Sequence, residues 1–203
     1  MDFKPLTFYE NIAAVVLAAG QSKRMGYPKL VLPWGEETVI GHVVSVLKTA
    51  GVGKIVVVTG GAREQVENAL QGLPARCIYN PDFEQGMTSS LCVGLQNLDK
   101  EITAALVTLG DQPQIEVEVI HALISRYLHR GSRLVVPSHS RRRGHPWLVD
   151  RALWSIILNL QPHQTLRDFL MAHEEDIDYV LVDSETVLQD IDTPQDYRQY
   201  RPS

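Results

Sequence analysis

Three cations, Lys23, Arg24 and Lys29, stand in and just beyond a small, glycine-bearing turn that follows the apolar run Val15-Val16-Leu17-Ala18-Ala19-Gly20. Gly20 and Gly26 let the backbone come close to an anion, and Ala18 and Ala19 keep bulky side chains away. Successive N–H groups in such a turn form an anion-binding concavity. Together with the countercharge, this suits the holding of a nucleoside triphosphate. The spacing fits neither G-x-x-x-x-G-K-[ST] nor G-x-G-x-x-G, so neither a P-loop ATPase nor a Rossmann dehydrogenase is supported.

Carboxylates supply the complementary chemistry. Leu109-Gly110-Asp111-Gln112-Pro113 puts Asp111 directly after an apolar run. Gly110 permits an unusual turn there, and Pro113 stops the strand from continuing. In Gln189-Asp190-Ile191-Asp192-Thr193-Pro194, an extended backbone would turn Asp190 and Asp192 to one face and Ile191 to the other. Asp192 or Thr193 could equally cap a helix opening at Pro194. A hard divalent cation such as Mg²⁺ suits one or two carboxylates completed by phosphate and water. Two further segments carry polar groups. Asn80 to Leu91 places Gly86 before Met87-Thr88-Ser89, where a helix N-terminus with Thr88 or Ser89 as its cap could hold ribose or phosphate. Arg141-Arg142-Arg143 leads into Gly144-His145-Pro146, and an arginine triplet alone reads as a solvated loop as readily as a ligand site.

The elements that must position these groups follow from periodicity. Ile12 to Leu17, Ile55 to Thr59, Ala104 to Leu109 and Leu134 to Pro137 are short apolar runs bounded by Gly, Asp, Pro or charge. They read as buried, mostly parallel strands. Ile40, Val43, Val44 and Leu47 fall on one helical face, as do Val117, Ile120, Leu123, Ile124 and Leu128. Further helices are expected over Met87 to Leu98 and Thr165 to Ala172. The pattern is an α/β domain with helices covering a central sheet, and ligands in such sheets gather beyond the carboxyl ends of the strands. Gly20 and Asp111 both stand at such ends, which makes them spatial neighbours.

The 203 residues suit one domain with a core large enough to need no disulfide or metal staple. With 44% hydrophobic and 21% charged residues the composition is that of an ordered globular protein. A net charge of -5 argues against a protein that coats nucleic acid. Cys77 and Cys92 form no C-x-x-C, and the seven histidines show no zinc-ligand spacing. The N-terminal stretch lacks the apolar core of a signal peptide, and no run of 18 apolar residues occurs, so a cytoplasmic protein without a membrane span is expected.

The stretch Leu17-Ala18-Ala19-Gly20-Gln21-Ser22-Lys23-Arg24-Met25-Gly26-Tyr27-Pro28-Lys29 closely resembles the nucleotidyltransferase signature L-A-A-G-x-S-x-R-M-G-x-x-K. In particular it resembles the molybdenum cofactor cytidylyltransferase group within the MobA-like family. Gly110-Asp111-Gln112-Pro113 and Asp190-Ile191-Asp192-Thr193-Pro194 resemble that group's two acidic motifs. Asn80 to Leu91 is similar to its N-x-x-x-x-x-G-M-x-x-S-L segment, and Gly144-His145-Pro146 to its G-H-P element. The resemblance covers positions 12 to 197. It implies a single-domain, three-layer Rossmann-like nucleotidyltransferase fold with a mostly parallel central sheet.

The implied reaction moves CMP from CTP to the phosphate of molybdenum-bearing molybdopterin and releases pyrophosphate, with Mg²⁺, or Mn²⁺ in its place, as cofactor. Arg24, Lys29, Asp111 and Asp192 are implied as the catalytic set, Asp111 and Asp192 as the metal ligands. Leu17, Ala18, Ala19, Gly20 and Ser89 join them around the nucleotide. Arg143, Gly144, His145, Pro146 and Arg167 fall to the acceptor. A recipient molybdoenzyme is the implied protein partner. Relatives that use GTP carry Leu-Ala-Gly-Gly where this chain has Leu17-Ala18-Ala19-Gly20, so Ala19 implies a preference for CTP. The chain departs from the group at Asn159 to Asp168, where G-D-x-G-A-R is usual and only Arg167 matches. Transfer to another small phosphate or sugar phosphate therefore stays open, as does a non-catalytic carrier of the pterin.

Overall fold

Aliphatic residues in nearly unbroken runs build the centre of the molecule. The computed structural model describes residues 8–161 and 164–202. β1 (Tyr9–Ala18) leads through the cationic turn to a short hairpin, β2 (Pro33–Trp34) and β3 (Glu37–Thr38), and then to α1 (Val39–Thr49). There follow β4 (Val52–Thr59), α2 (Arg63–Ala69), β5 (Arg76–Tyr79), α3 (Met87–Gln96), β6 (Ala104–Leu109) and α4 (Val117–Arg130). The second half holds β7 (Leu134–His139), β8 (Arg142–Arg143), β9 (Trp147–Asp150), α5 (Trp154–Leu158), α6 (Leu166–Ala172), β10 (Ile177–Leu181) and α7 (Pro194–Tyr200).

The main sheet runs β10-β7-β9-β6-β1-β4-β5, with β8 paired beside β7. β1 lies parallel to both β4 and β6, β4 to β5, and β7 to β10. Only β9 and β8 run against the rest. Each central strand is buried on both faces, which is why its sequence reads as a continuous apolar run and not as an alternation. Ala14 and Val16 point to a core layer shared with α1, α2 and α4, whereas Ala13 and Val15 point to one shared with α3, α5 and α6. The result is a three-layer Rossmann-like α/β fold.

Most expected elements are present, with local corrections. Thr165 is the N-cap of α6 through a capping box with Asp168, so that helix begins one residue later. α3 begins after Gly86, and neither Thr88 nor Ser89 caps it. Leu128 was expected on the buried face of α4 but, in the last turn of the helix, is 58% exposed. Part of the departure at 159–168, Pro162 and His163, lies outside the described residues, as does the stretch before Phe8. Among the described residues no helix is long and apolar enough to cross a membrane.

Register brings the loops together. Leu17 pairs with Leu109, Ala18 with Thr59, and Thr59 with Tyr79, so the loops after β1, β4, β5 and β6 open on one end of the sheet. The chain returns to that end after the outermost strand. From β10 it runs back past β7, where Val182 N–H donates to Ser138 at 3.0 Å, and Ile191 N–H reaches the Asp111 carbonyl at 3.0 Å. Ile191 is fully buried and anchors this strap, while the carboxylates on either side of it stay accessible.

Candidate active site

The turn after β1 is shaped by its own polar atoms. Ser22 adopts a positive φ of 51°, its carbonyl accepts from Met25 N–H at 2.9 Å, and its hydroxyl accepts from Lys29 N–H at 3.2 Å. Gly26, at φ 74°, takes a backbone conformation that an L side chain disfavours. These contacts fold the turn back on itself and aim Lys29 inward. Its ammonium donates to Asp192 Oδ1 at 3.1 Å and lies 2.5 Å from Asp111 Oδ2. Arg24 pairs with the other Asp192 oxygen at 3.0 Å. Two carboxylates from distant parts of the chain thus meet at one cation.

Gly110 makes this convergence possible. A Cβ at that position would stand 3.0 Å from Ile40 Cδ1 and 3.1 Å from the Leu17 carbonyl, which already accepts Gly110 N–H at 3.0 Å. Burial opposes the charge on Lys29, but Asp111 and then Asp192 outweigh it and hold its pKa above the ordinary lysine value. Asp190 is displaced upward, first by desolvation and then by Asp111 and Asp192, against the pull of the Gln112 amide. Gln112 is itself buried and donates to the Asp190 carboxylate. Asp190 is therefore tied into structure, whereas Asp192 meets the cations. Thr193, and not Asp192, caps α7, in a capping box with Asp196.

These groups line a cavity of about 810 Å³. Leu17, Ala18, Ala19, Gly20, Lys23, Arg24, Lys29, Asp111, Asp190 and Asp192 all border it. Ser89 does not: its hydroxyl donates within its own loop, to the carbonyls of Asp82 and Gly86, and the buried Ser90 takes its place in the lining. Asn80, fully buried, organises that loop. Its amide donates to Ser89 and Ser90 at 3.0 Å each, and its carbonyl accepts Asp82 N–H at 2.9 Å. Sequence reading passed over Gln21, Phe83, Glu84 and Met87, which also line the cavity. The available signal was Thr59-Gly60-Gly61, a second glycine-bearing strand end. A Cβ on Gly60 would lie 2.5 Å from the Ala19 carbonyl and 2.8 Å from Phe83 Cβ, so Gly60 lets the β1 end and the Phe83 loop close together.

The expected acceptor residues lie elsewhere than in this lining. The arginine triplet is a hairpin: Ser140 and Arg141 take positive φ at its turn, and Arg143 donates to Tyr179 at 2.7 Å and Glu174 at 2.6 Å. Gly144 packs on Val187, where a Cβ would be 2.5 Å from the carbonyl oxygen. His145, joined to Pro146 by a cis peptide, stacks on Trp147 with ring centroids 4.5 Å apart. Burial pushes its pKa down to about 4, and its Nε2 has no hydrogen-bond partner among the described residues. Arg167 is exposed on α6. The loop nevertheless adjoins the site, because His145 N–H donates to Val187 on the strap at 2.9 Å.

The donor set can be tested against a divalent cation. Asp111 and Asp192 offer hard oxygens that lie 2.5 and 3.1 Å from the Lys29 ammonium, so both carboxylates already face one positive charge. Among the described residues no three His, Cys, Asp or Glu side chains form a metal cluster, so the protein alone offers these two. That number fits Mg²⁺ completed by phosphate oxygens and water.

Comparison with known proteins places this geometry in context. The chain is 27% identical to molybdenum cofactor cytidylyltransferase from Escherichia coli, over 92% of this chain and 93% of that one. It is 29% identical to nicotine blue oxidoreductase from Paenarthrobacter nicotinovorans, over 90% and 92% respectively. The crystal structure of Rv0371c from Mycobacterium tuberculosis in complex with manganese superposes with a TM-score of 0.77 at 27% identity, covering 93% of this chain and 97% of that one. Residues 14–177 match the MobA-like NTP transferase domain, and the chain belongs to that nucleotidyltransferase family.

Proposed function

We propose that the protein transfers CMP from CTP to the phosphate of molybdenum-bearing molybdopterin, releasing pyrophosphate and forming molybdopterin cytosine dinucleotide. The observation that carries this reading is the meeting of Asp111 and Asp192 at the cationic end of the 810 Å³ cavity, beside the backbone of Leu17 to Gly20. The Escherichia coli relative supports the choice of base and acceptor by its name. We take residues 1–203 as one such domain, with a working core of about 12–197, acting in the cytoplasm and passing its product to a recipient molybdoenzyme.

In nucleotidyl transfer an acceptor oxygen attacks the α-phosphorus and pyrophosphate leaves, so charge must be neutralised on the equatorial and leaving oxygens. Lys23, Arg24 and Lys29 supply that charge, and the N–H groups around Gly20 orient the phosphates. Mg²⁺ held by Asp111 and Asp192, or Mn²⁺ in its place, contributes Lewis acidity and charge neutralisation when bound. A phosphate monoester acceptor has its second pKa near ~6 and is already largely ionised at neutral pH, so no side chain need act as general base. Arg143, Gly144, His145, Pro146 and Arg167 are kept for the acceptor.

Pyrophosphate release from CTP with Mg²⁺ and molybdopterin tests the reading. Release with a different phosphate acceptor alone would replace the pterin assignment, and tight pterin binding without release would make the protein a carrier. The oxidoreductase relative gives a rival reading, so the same samples are assayed for redox turnover of nicotine blue; such turnover without pyrophosphate release would favour it.

A further inference from the structure

The cavity is chemically divided. At one end Lys29, Arg24, Asp111 and Asp192 touch one another. At the other, Ala19, Gly60 and Phe83 close together, a Cβ on Gly61 would stand 2.8 Å from Gln21 Cγ and 3.4 Å from Phe83 Cε2, and Gln21 Nε2 donates to Glu84 Oε1 at 2.9 Å. This second end is an apolar wall carrying one carboxylate. A triphosphate is repelled by Glu84 and drawn to the lysines, so a bound nucleotide turns its base toward Phe83 and Glu84.

A carboxylate accepts hydrogen bonds and donates none. Glu84 Oε1 is engaged by Gln21, and Oε2 has no partner among the described residues. Cytosine offers an N4–H donor at the base edge where uracil offers the O4 acceptor, and acidic side chains pair with the former. We propose that Glu84 reads the exocyclic amine of the base, selecting cytosine over uracil, with Gln21 as the positioning residue that holds its carboxylate in place. This rests on the nucleotide chemistry proposed above and adds to it the side chain that chooses between the two pyrimidines.

The test measures binding of CTP and UTP by calorimetry, with Mg²⁺ present, beside pyrophosphate release from each. Glu84→Gln should lower the CTP-over-UTP preference by about tenfold, largely through a gain for UTP, because the amide can donate to O4. A site merely damaged by the change would lose both nucleotides together. Gln21→Leu should move the ratio in the same direction by less. An unchanged ratio in Glu84→Gln, or an equal loss for both nucleotides, overturns the proposal while leaving transfer intact. Base-selective binding that shifts as stated, without pyrophosphate from either nucleotide, overturns the transferase reading and keeps the role of Glu84. Binding of neither nucleotide by the wild-type protein overturns both.

Discussion

Asp111→Asn and Asp192→Asn each remove one of the two carboxylates that meet Lys29 Nζ at 2.5 and 3.1 Å. Turnover should fall on the order of 100-fold or more in either variant, with the far-UV spectrum unchanged. Asp190→Asn, held by Gln112, should cost less. Steady-state kinetics at limiting Mg²⁺ decides this, and wild-type rates in both variants would remove the metal role. Arg24→Ala and Lys29→Ala should weaken catalysis with every acceptor tested, whereas a defect confined to one acceptor would move these cations to the other half of the site. His145 makes a separate statement about pH. Its pKa lies near 4 in the fold against an ordinary 6.5, so the unfolded chain takes up its proton first as pH falls. The stability it contributes is whole above about 6.5 and is lost as pH drops toward 4, roughly 3 kcal/mol in all. Urea melts at pH 7.5 and 5 should show about 2 kcal/mol of that loss, and His145→Asn should shrink it; an equal pH slope in the variant would contradict the assignment.

At the scale of elements, the β5–α3 loop hangs on one buried side chain. Asn80→Ala deletes three hydrogen bonds around Asp82, Ser89 and Ser90, and should destabilise the protein by about 1–3 kcal/mol while raising the KM for nucleotide. An unaltered KM in a folded variant would detach this loop from the nucleotide. Thr193→Ala opens the capping box of α7 and should cost ~1 kcal/mol in thermal melts, with a smaller effect on turnover than Asp192→Asn. Strands and helices such as β6 and α1 were legible because burial on both sheet faces, or on one helix face, writes itself directly into residue type. The site's signature loop was legible for a similar reason, since small residues and cations at fixed spacing have few other uses. What could not be read were contacts that depend on tertiary approach: the hairpin that takes up Arg142 and Arg143, and the substitution of Ser90 for Ser89 in the cavity wall. Both follow from neighbours that no local pattern names, Tyr179 for the first and Asn80 for the second.

Over the whole molecule, the sheet collects the ends of β1, β4, β5 and β6 into one opening, yet the second acidic motif enters only with the strap that follows β10. Lys29 and Asp192 are separated by 163 positions along the chain, and the strap is fixed by Ile191 against the carbonyl of Asp111. Contacts of such sequence separation demand the closing of most of the chain and form slowly compared with local ones. Competence for nucleotide should therefore be the final acquisition of a refolding chain. After dilution from urea, helical dichroism should recover ahead of CTP binding, and a cut by a protease within 183–190 should abolish binding before it loosens the strands.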